Sequence, residues 1–176
     1  QSNGKILEAL NYAPAFDVYR EHIEKSVGLN FDEHEFFDIA KNYPLGIENI
    51  EGEMLVRAPL VQEDKSLIFV GEVPENSVAY LLKGEADSLI SAAGSAANTA
   101  YNAHTVVNNN DLSALLFDCI SRPLFLGEDF DKELNSIEVN LNGYSDVFGA
   151  LTLGEIGNSK NGPIEWLNNS TVIAVF

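Results

Sequence analysis

The residues best suited to chemistry stand together in the stretch 115–122. Its apolar first half predicts a buried strand, and its polar second half carries the only cysteine of the chain, Cys119, followed by Ser121 and Arg122. A strand that ends in a thiol, a hydroxyl and a guanidinium gathers hydrogen-bonding groups at the edge of a sheet. The stretch therefore predicts a place where a small ligand is held.

Cys119 has two interpretations. A thiol becomes a nucleophile only when it is ionised, which near neutral pH requires a neighbouring base or a helix N-terminus. The three histidines, His22, His34 and His104, stand in no sequence context typical of a cysteine hydrolase. Because lone cysteines are common packing residues, we interpret Cys119 as part of a core or pocket wall.

Arg122 and Glu155 are the charged candidates for ligand contact. Arg122 precedes Pro123, which restricts its backbone, and its guanidinium suits a carboxylate. That carboxylate belongs either to a ligand or to a protein acid such as Glu133 or Glu155. Glu155 stands between two glycines after an apolar strand, where it could bind an amine, pair with Arg122 or stabilise a turn.

Two further polar residues complete the candidate set. Arg57 lies in a predicted strand beside Pro59, and Asn169 enters the last strand with one side-chain acceptor and two donors. The chain has no phosphate-binding glycine loop with lysine and no nucleophile elbow. An exposed acidic helix start explains His34 and its acidic neighbours better than a metal site. We therefore predict no catalytic residue, no metal and no cofactor.

Charge and cysteine content limit the partners. The formal net charge is −17, from 27 acidic and 10 basic residues, which disfavours binding to nucleic acid and to anionic membranes. A single cysteine forms no internal disulfide and suggests a reducing compartment, so we expect a cytoplasmic protein. No apolar run approaches the about 20 residues that cross a bilayer, and no signal peptide is recognised. We interpret residues 1–3 as the remnant of a cleaved tag.

The elements that must position these residues follow from hydrophobic periodicity and turn signals. Helices are predicted over 14–28, from an Asp32 cap to residue 40, over 85–107 with an end at 108–111, and over 130–141 after an Asp129 cap, the last with Leu134 and Ile137 pointing inward. Strands are predicted over 5–10, 54–61 paired with 66–70, 77–82, the apolar half of 115–122, 147–153 and 171–176, the last one internal. Pro59 argues for an edge or bulge position. This order predicts a single α+β domain, mostly antiparallel sheet packed with about four helices.

The order and spacing of short motifs resemble the C-terminal domain of the FIST family, from about Ile6 to Phe176. The motifs are Tyr43-Pro44-Leu45, Val56-Arg57-Ala58-Pro59, Gly71-Glu72-Val73-Pro74, Phe117-Asp118-Cys119-Ile120-Ser121-Arg122, Gly127, Glu133, Gly149, Gly154-Glu155-Ile156 and Asn169-Ser170-Thr171. The resemblance implies that residues 4–176 form a sensory domain of a signalling protein. It also implies a companion N-terminal FIST domain outside this chain, small ligands such as amino acids, and no enzymatic activity.

The residues and the resemblance together give one leading hypothesis and two alternatives. The leading hypothesis is a cytoplasmic domain that senses amino acids or related metabolites. The predicted ligand-binding residues are Tyr43, Arg57, Cys119, Arg122, Glu155 and Asn169. The first alternative is a protein-interaction scaffold, which predicts an exposed apolar patch and no enclosed pocket. The second is a cysteine-dependent enzyme, which requires a base near Cys119.

Overall fold

The computed structural model describes residues 1–49, 52–103, 113–142, 146–158 and 162–176. Its helices are α1 (Ala15–Val27), α2 (Phe36–Ala40), α3 (Ala86–Ala103), α4 (Ser121–Leu126) and α5 (Phe130–Asn140). Its strands are β1 (Ser2–Asn3), β2 (Ile6–Leu7), β3 (Ala9–Leu10), β4 (Ala13–Pro14), β5 (Leu45–Glu48), β6 (Met54–Arg57), β7 (Pro59–Glu63), β8 (Ser66–Phe69), β9 (Ala79–Leu81), β10 (Ser113–Cys119), β11 (Asp146–Thr152), β12 (Glu155–Gly157), β13 (Glu165–Leu167) and β14 (Thr171–Val175).

Backbone contacts divide the chain into two compact units. Unit 1 holds the described residues of Gln1–Lys83 and of 159–168, and unit 2 holds those of Gly84–Asn158 and Asn169–Phe176. The residues 1–3, which we interpreted as a tag remnant, contribute strand β1 to a sheet of unit 1.

Unit 1 combines small antiparallel sheets with helices α1 and α2. One sheet has the order β1-β2-β8-β7, another has the order β6-β5-β9, and β3 and β4 form a separate hairpin. The core gathers Tyr19 and Ile23 of α1 with Leu67 and Phe69 of β8, all of them buried. Helix α1 ends at Gly28, whose φ of +76° is left-handed and favours glycine, so the predicted helix end is confirmed.

The strand predicted over 54–61 is two strands in the structure. β6 pairs with β5, whereas β7 pairs with β8 in the hairpin that the sequence predicted. The pairing register shifts between Pro59 and Val61, and β7 is the last strand of its sheet. Because proline cannot donate to a ladder, the predicted edge or bulge position of Pro59 is confirmed.

Unit 2 is a three-stranded sheet, β11-β10-β14, with helices α3 and α5 packed on one face. β10 is parallel to β11 and antiparallel to β14. The core between helices and sheet consists of Ala93, Ala97, Ala114, Leu116, Ile137 and Leu141. Small residues let α3 approach closely, because a Cβ at Gly94 would overlap Oγ of Ser136 on α5.

Three predicted details are wrong. Asp32 caps no helix: α2 begins at Phe36, and the Asp32 carboxylate binds Nη2 of Arg20 at 2.6 Å instead. β14 lies at one edge of its described sheet, because β10 occupies the centre. Leu134 was expected to point inward but is 38% exposed, since α5 turns Ile137 to the core.

The predicted α+β class with mostly antiparallel strands and about four helices is confirmed. Within the two units, β10 with β11 is the parallel pair, and the other pairings given above are antiparallel. The strands form several small sheets, because turns and Pro59 interrupt the longer predicted strands. The predicted end of the third helix at 108–111 lies outside the described residues. No described helix has the length and apolar character needed to cross a bilayer.

Candidate ligand-binding site

The stretch 115–122 divides between a strand and a helix. β10 ends at Cys119, and α4 begins at Ser121 after a single residue. Arg122 therefore lies in the first turn of a helix, where Pro123 is tolerated because the first-turn N–H groups have no helical partner. Arg122 is 4% exposed, so the guanidinium is buried and is not presented at an open strand end.

Acceptors surround the guanidinium of Arg122. Its Nε donates to Oε1 of Glu133 at 3.0 Å, and its Nη2 donates to Oε2 of the same carboxylate. Nη1 donates to the carbonyl oxygen of Asn169 at 3.0 Å, and Nη2 also donates to that of Leu89 at 2.9 Å. This is the Glu133 ion pair that the sequence left open as an alternative. A ligand contact by Arg122 stays a prediction.

Asp118 adds a second carboxylate to this cluster. Its Oδ1 accepts from Oγ1 of Thr171 at 2.7 Å and lies 3.3 Å from Nε of Arg122. Its Oδ2 has no hydrogen-bond partner among the described residues. Two buried carboxylates, Asp118 and Glu133, therefore share one guanidinium. Burial, reinforced by the charge of Glu133, raises the pKa of Asp118 to about 6.

We expect the Asp118→Asn variant to be more stable than the wild type above pH 6. A carboxyl group whose pKa is raised on folding binds its proton more tightly when folded. Its contribution to stability therefore falls as the pH rises from about 4, the usual unfolded value, through 6. One pKa unit corresponds to about 1.4 kcal/mol, so we expect a difference of about 2 kcal/mol at pH 8, shrinking towards pH 4. Urea denaturation of both proteins from pH 4 to 8 measures it, and parallel stability curves would contradict it.

Glu155 is a buried carboxylate held by hydroxyl groups. It is 2% exposed, and it accepts from Oγ1 of Thr152 at 2.7 Å and from Oγ of Ser170 at 2.6 Å. In the part of the chain that the structure describes, no basic side chain lies within 4 Å of it. Two hydroxyl bonds offset only part of the cost of burying a charge. The arrangement can therefore accept a cationic group.

Cys119, Ser121 and Asn169 form a hydrogen-bonded chain beside Glu155. Oγ of Ser121 lies 3.0 Å from Sγ of Cys119 and 2.6 Å from Oδ1 of Asn169, and it can donate to either. Asn169 has a φ of +55°, a left-handed conformation that asparagine tolerates better than most residues. Because Ser170 follows Asn169 and binds Glu155, unit 2 brings together four of the six predicted residues: Cys119, Arg122, Glu155 and Asn169.

We expect the thiol of Cys119 to react slowly in the folded protein. Burial raises its pKa; the hydroxyl of Ser121 opposes this effect, and the charge of Glu155 adds to it. Because the thiolate is the reactive form, labelling with iodoacetamide at pH 8 should be at least about tenfold slower than in urea-unfolded chain. The unfolded chain is a direct control, since it carries the same single cysteine. An apparent pKa at or below about 8.5 would contradict this and favour the enzyme hypothesis.

The other two predicted residues, Arg57 and Tyr43, belong to unit 1. Nε of Arg57 donates to the carbonyl oxygen of Glu72 at 2.7 Å, and Nη1 donates to that of Trp166 at 3.1 Å. Arg57 is 7% exposed, and burial lowers its pKa. Tyr43 is equally buried, and its carbonyl oxygen accepts from the hydroxyl of Tyr19 at 2.6 Å. Ligand contacts by Arg57 and Tyr43 stay predictions.

Sequence reasoning missed two buried acceptors in the neighbourhood of Arg57. Oδ1 of Asn168 and Oε2 of Glu165 are both buried, and neither has a hydrogen-bond partner across the described ranges. A Cβ at Gly71 would lie 3.2 Å from Nε of Arg57 and 3.2 Å from Oδ1 of Asn168, so these two atoms face the same point. The sequence indicated Asn168 only indirectly, because it stands next to Asn169, which was predicted to bind a ligand.

One groove of unit 1 lies away from the predicted site residues of that unit. It has a volume of about 850 Å³ and is lined by residues that include Tyr12, His22 and Asn76, but neither Arg57 nor Tyr43. Tyr12 has a φ of +65° in the β3–β4 turn, an uncommon conformation for a bulky side chain. The described residues contain no group of three or more histidine, cysteine or acidic side chains that could hold a metal.

Comparison with protein families identifies the family of this domain. The family model described as the FIST C domain matches residues 15–158, which covers most of the chain. The matched range includes Arg57, Cys119, Arg122 and Glu155 and ends before Asn169. Comparison with curated proteins gave no match, and neither did comparison with solved structures.

Proposed function

The chain belongs to the FIST C domain family, and from this premise we propose that it is a ligand-sensing domain of a signalling protein. Its ligands would be small amine-bearing metabolites, with amino acids as the first candidates. The observation that carries the proposal is the Glu155 carboxylate, which is 2% exposed and bound by two hydroxyls without a basic partner among the described residues.

The ligand's ammonium group would supply the positive counter-charge that the Glu155 carboxylate lacks among the described residues. A buried carboxylate without a counter-ion destabilises the folded state, and charge-assisted hydrogen bonds from an ammonium group offset that cost. Thr152 and Ser170 hold the carboxylate from its two oxygens, at 2.7 and 2.6 Å. Glu155 is therefore oriented before any ligand arrives, which reduces the entropy cost of binding.

Asn169 is the proposed partner for the ligand's carboxylate. Its Oδ1 accepts from Ser121, and its carbonyl oxygen accepts from Arg122, so these bonds leave the side-chain amide donors for a ligand. Arg122 then acts as a positioning residue, because it fixes the backbone of Asn169 while its charge is paired with Glu133. We propose Cys119 as a wall of the site and no enzymatic step.

A thermal-shift screen of the twenty amino acids and simple primary amines tests the proposal. A ligand at about 100 times its dissociation constant stabilises a protein by about 2.7 kcal/mol. We expect at least one amine to raise the melting temperature, and we expect Glu155→Gln to abolish that shift. Without ligand, Glu155→Gln should be at least as stable as the wild type, because it removes an uncompensated buried charge.

The matched control is Glu128→Gln, which makes the same change at an exposed position of unit 2. This variant should keep the ligand-induced shift. An equal shift in Glu155→Gln would mean that the ligand binds elsewhere. If no amine shifts any of the three proteins, the proposed ligand class is wrong.

We further propose that the domain acts in the cytoplasm beside a companion N-terminal FIST domain. One cysteine without a disulfide partner and a net charge of −17 are what a cytoplasmic domain without nucleic-acid or membrane partners is expected to have. Co-expression of the two domains, followed by purification through a tag on one of them, tests the partnership.

A second candidate function is a protein-interaction domain. The observation that favours it is the number of large apolar side chains of unit 2 that are 40% exposed or more, among them Phe117, Phe148 and Phe176. A domain of this kind would keep its association when Glu155 is replaced by glutamine, whereas ligand sensing would not survive that change.

A further inference from the structure

Among the described residues of unit 2, helices α3 and α5 cover one face of the sheet and leave the opposite face uncovered. Residues alternate between faces along a strand, and Ala114 and Leu116 point to α3 and α5. The neighbours Leu115 and Phe117 therefore point the other way. We call that side the outer face, and its main residues are Leu115, Phe117, Phe148, Ala150, Ala174 and Phe176.

The outer face is apolar and open to solvent. Phe117, Phe148 and Phe176 are 40%, 50% and 58% exposed. Phe148 and Phe176 contact each other edge to face, with ring centroids 6.3 Å apart, so the rings form a patch. Exposed apolar patches of this kind on an otherwise charged protein mark interaction sites.

Large and small residues alternate across this face. Phe117 pairs with Ala150 of β11, while Leu115 lies between Phe148 on one side and Ala174 on the other. Each ring therefore stands beside a shallow position occupied by alanine. A second identical face related by two-fold rotation can place its rings over those alanines, as facing sheets interdigitate about 10 Å apart.

Charge selects the kind of partner. The chain carries 27 acidic residues, yet of the strand residues that point to the outer face only Asp146, which pairs with Ser113 at the first residue of β11, is acidic. A basic partner would find a single carboxylate to pair with, at one end of this face, whereas another copy would meet uncharged, mostly apolar side chains over the rest of it. A standard interface buries about 800 Å² of surface on each partner. The exposed area of three half-exposed rings supplies a substantial part of that.

We propose that the chain forms a dimer in which the outer face packs against the outer face of a second copy. The proposal does not depend on ligand binding. Sedimentation equilibrium of the 176-residue chain, from about 1 to 200 µM, measures the dissociation constant. We expect a monomer–dimer equilibrium that strengthens with salt, because salt screens the repulsion between two chains of net charge −17.

Substitutions on the two faces of β11 show which surface forms the dimer. Phe148→Asp and Ala150→Asp change the outer face and should weaken the dimer at least tenfold. Leu151→Asp changes the opposite face of the same strand, at a side chain that is 48% exposed, and should leave the dimer intact. Val139→Asp adds the same charge at a 63% exposed position of α5 and serves as the control.

Three results would overturn the proposal. A wild-type chain that stays monomeric up to 200 µM excludes the second copy as the occupant of this face. Equal weakening by Leu151→Asp and Ala150→Asp indicates pairing through the edge of β11. A monomeric chain that binds a separately produced N-terminal FIST domain assigns the face to that domain. Circular dichroism of each variant shows whether it folds, and Ala174→Asp replaces any variant that does not.

Discussion

Replacing Arg122 with methionine is expected to destabilise the domain by about 3–5 kcal/mol, the usual cost of removing one partner from a buried ion pair. The guanidinium is 4% exposed and lies between Glu133, which is 0% exposed, and Asp118, which is 1% exposed. Methionine fills a similar volume but leaves both carboxylates without a cation. The carbonyl oxygens of Leu89 and Asn169 also lose their donor.

Urea denaturation at pH 8 measures this effect, and a double variant identifies its cause. If stranded charge causes the loss, Arg122→Met combined with Glu133→Leu should recover part of the stability, since apolar replacements of buried pairs are often tolerated. The control is Arg20→Met, because Arg20 binds Glu24 and Asp32 at the surface and should matter little. A loss in Arg122→Met no larger than in Arg20→Met would contradict the prediction.

The same cluster shows what the sequence can and cannot specify. Glu133 was one of two acids considered for Arg122, and spacing could not choose between it and Glu155. Glu133 of α5 and the carbonyl oxygen of Leu89 on α3 both accept from Arg122 of α4. The choice of partner therefore depends on how three helices pack, and that packing includes contacts distant in sequence. The burial of Asp118 could have been predicted from the sequence. Asp118 lies two residues after Leu116, on the helix-facing side of an apolar strand, so a buried charge with a partner was to be expected there.

Local features of the fold were predictable where one residue type decides the backbone. Gly28 ends α1 because a left-handed residue is needed there, and Pro59 interrupts the pairing of its strand because it lacks an N–H. Strand pairing was harder to predict. β11 lies parallel to β10, and the apolar residues of β11 carry no information on which neighbour, or which direction, the strand selects.

The candidate site was also predictable only in part. The motif order placed Cys119, Arg122, Glu155 and Asn169 in one neighbourhood, and unit 2 does bring them together. The hydroxyls of Thr152 and Ser170, which hold Glu155, went unnoticed because serine and threonine at strand ends are common. Their role becomes visible only when β14 and the turn after β11 are seen side by side.

Gly149 is the position of the sheet where adding a single methyl group is expected to reduce the stability of the domain most. A Cβ there would overlap the carbonyl oxygen of Leu116 and lie 2.7 Å from its carbonyl carbon, both of them backbone atoms of the paired strand β10. Backbone in the centre of a sheet cannot move without breaking ladder hydrogen bonds. We therefore expect Gly149→Ala to cost at least about 3 kcal/mol, at the upper end of overpacking effects.

The matched control for this prediction is Gly94→Ala. A Cβ at Gly94 would overlap Oγ of Ser136 and lie 2.9 Å from Nδ2 of Asn140. These side-chain atoms can rotate away at the cost of their hydrogen bonds to the carbonyl oxygens of Ile90 and Ser136. Alanine also favours the helix over glycine by about 1 kcal/mol, so this variant should be close to neutral. Thermal denaturation of the two variants compares the effect of a steric overlap with backbone atoms with that of an overlap with side-chain atoms. If Gly149→Ala melts within about 2 °C of the wild type, β10 and β11 cannot approach each other as closely as the structure has them, and the outer face built on their pairing would lose its geometric basis.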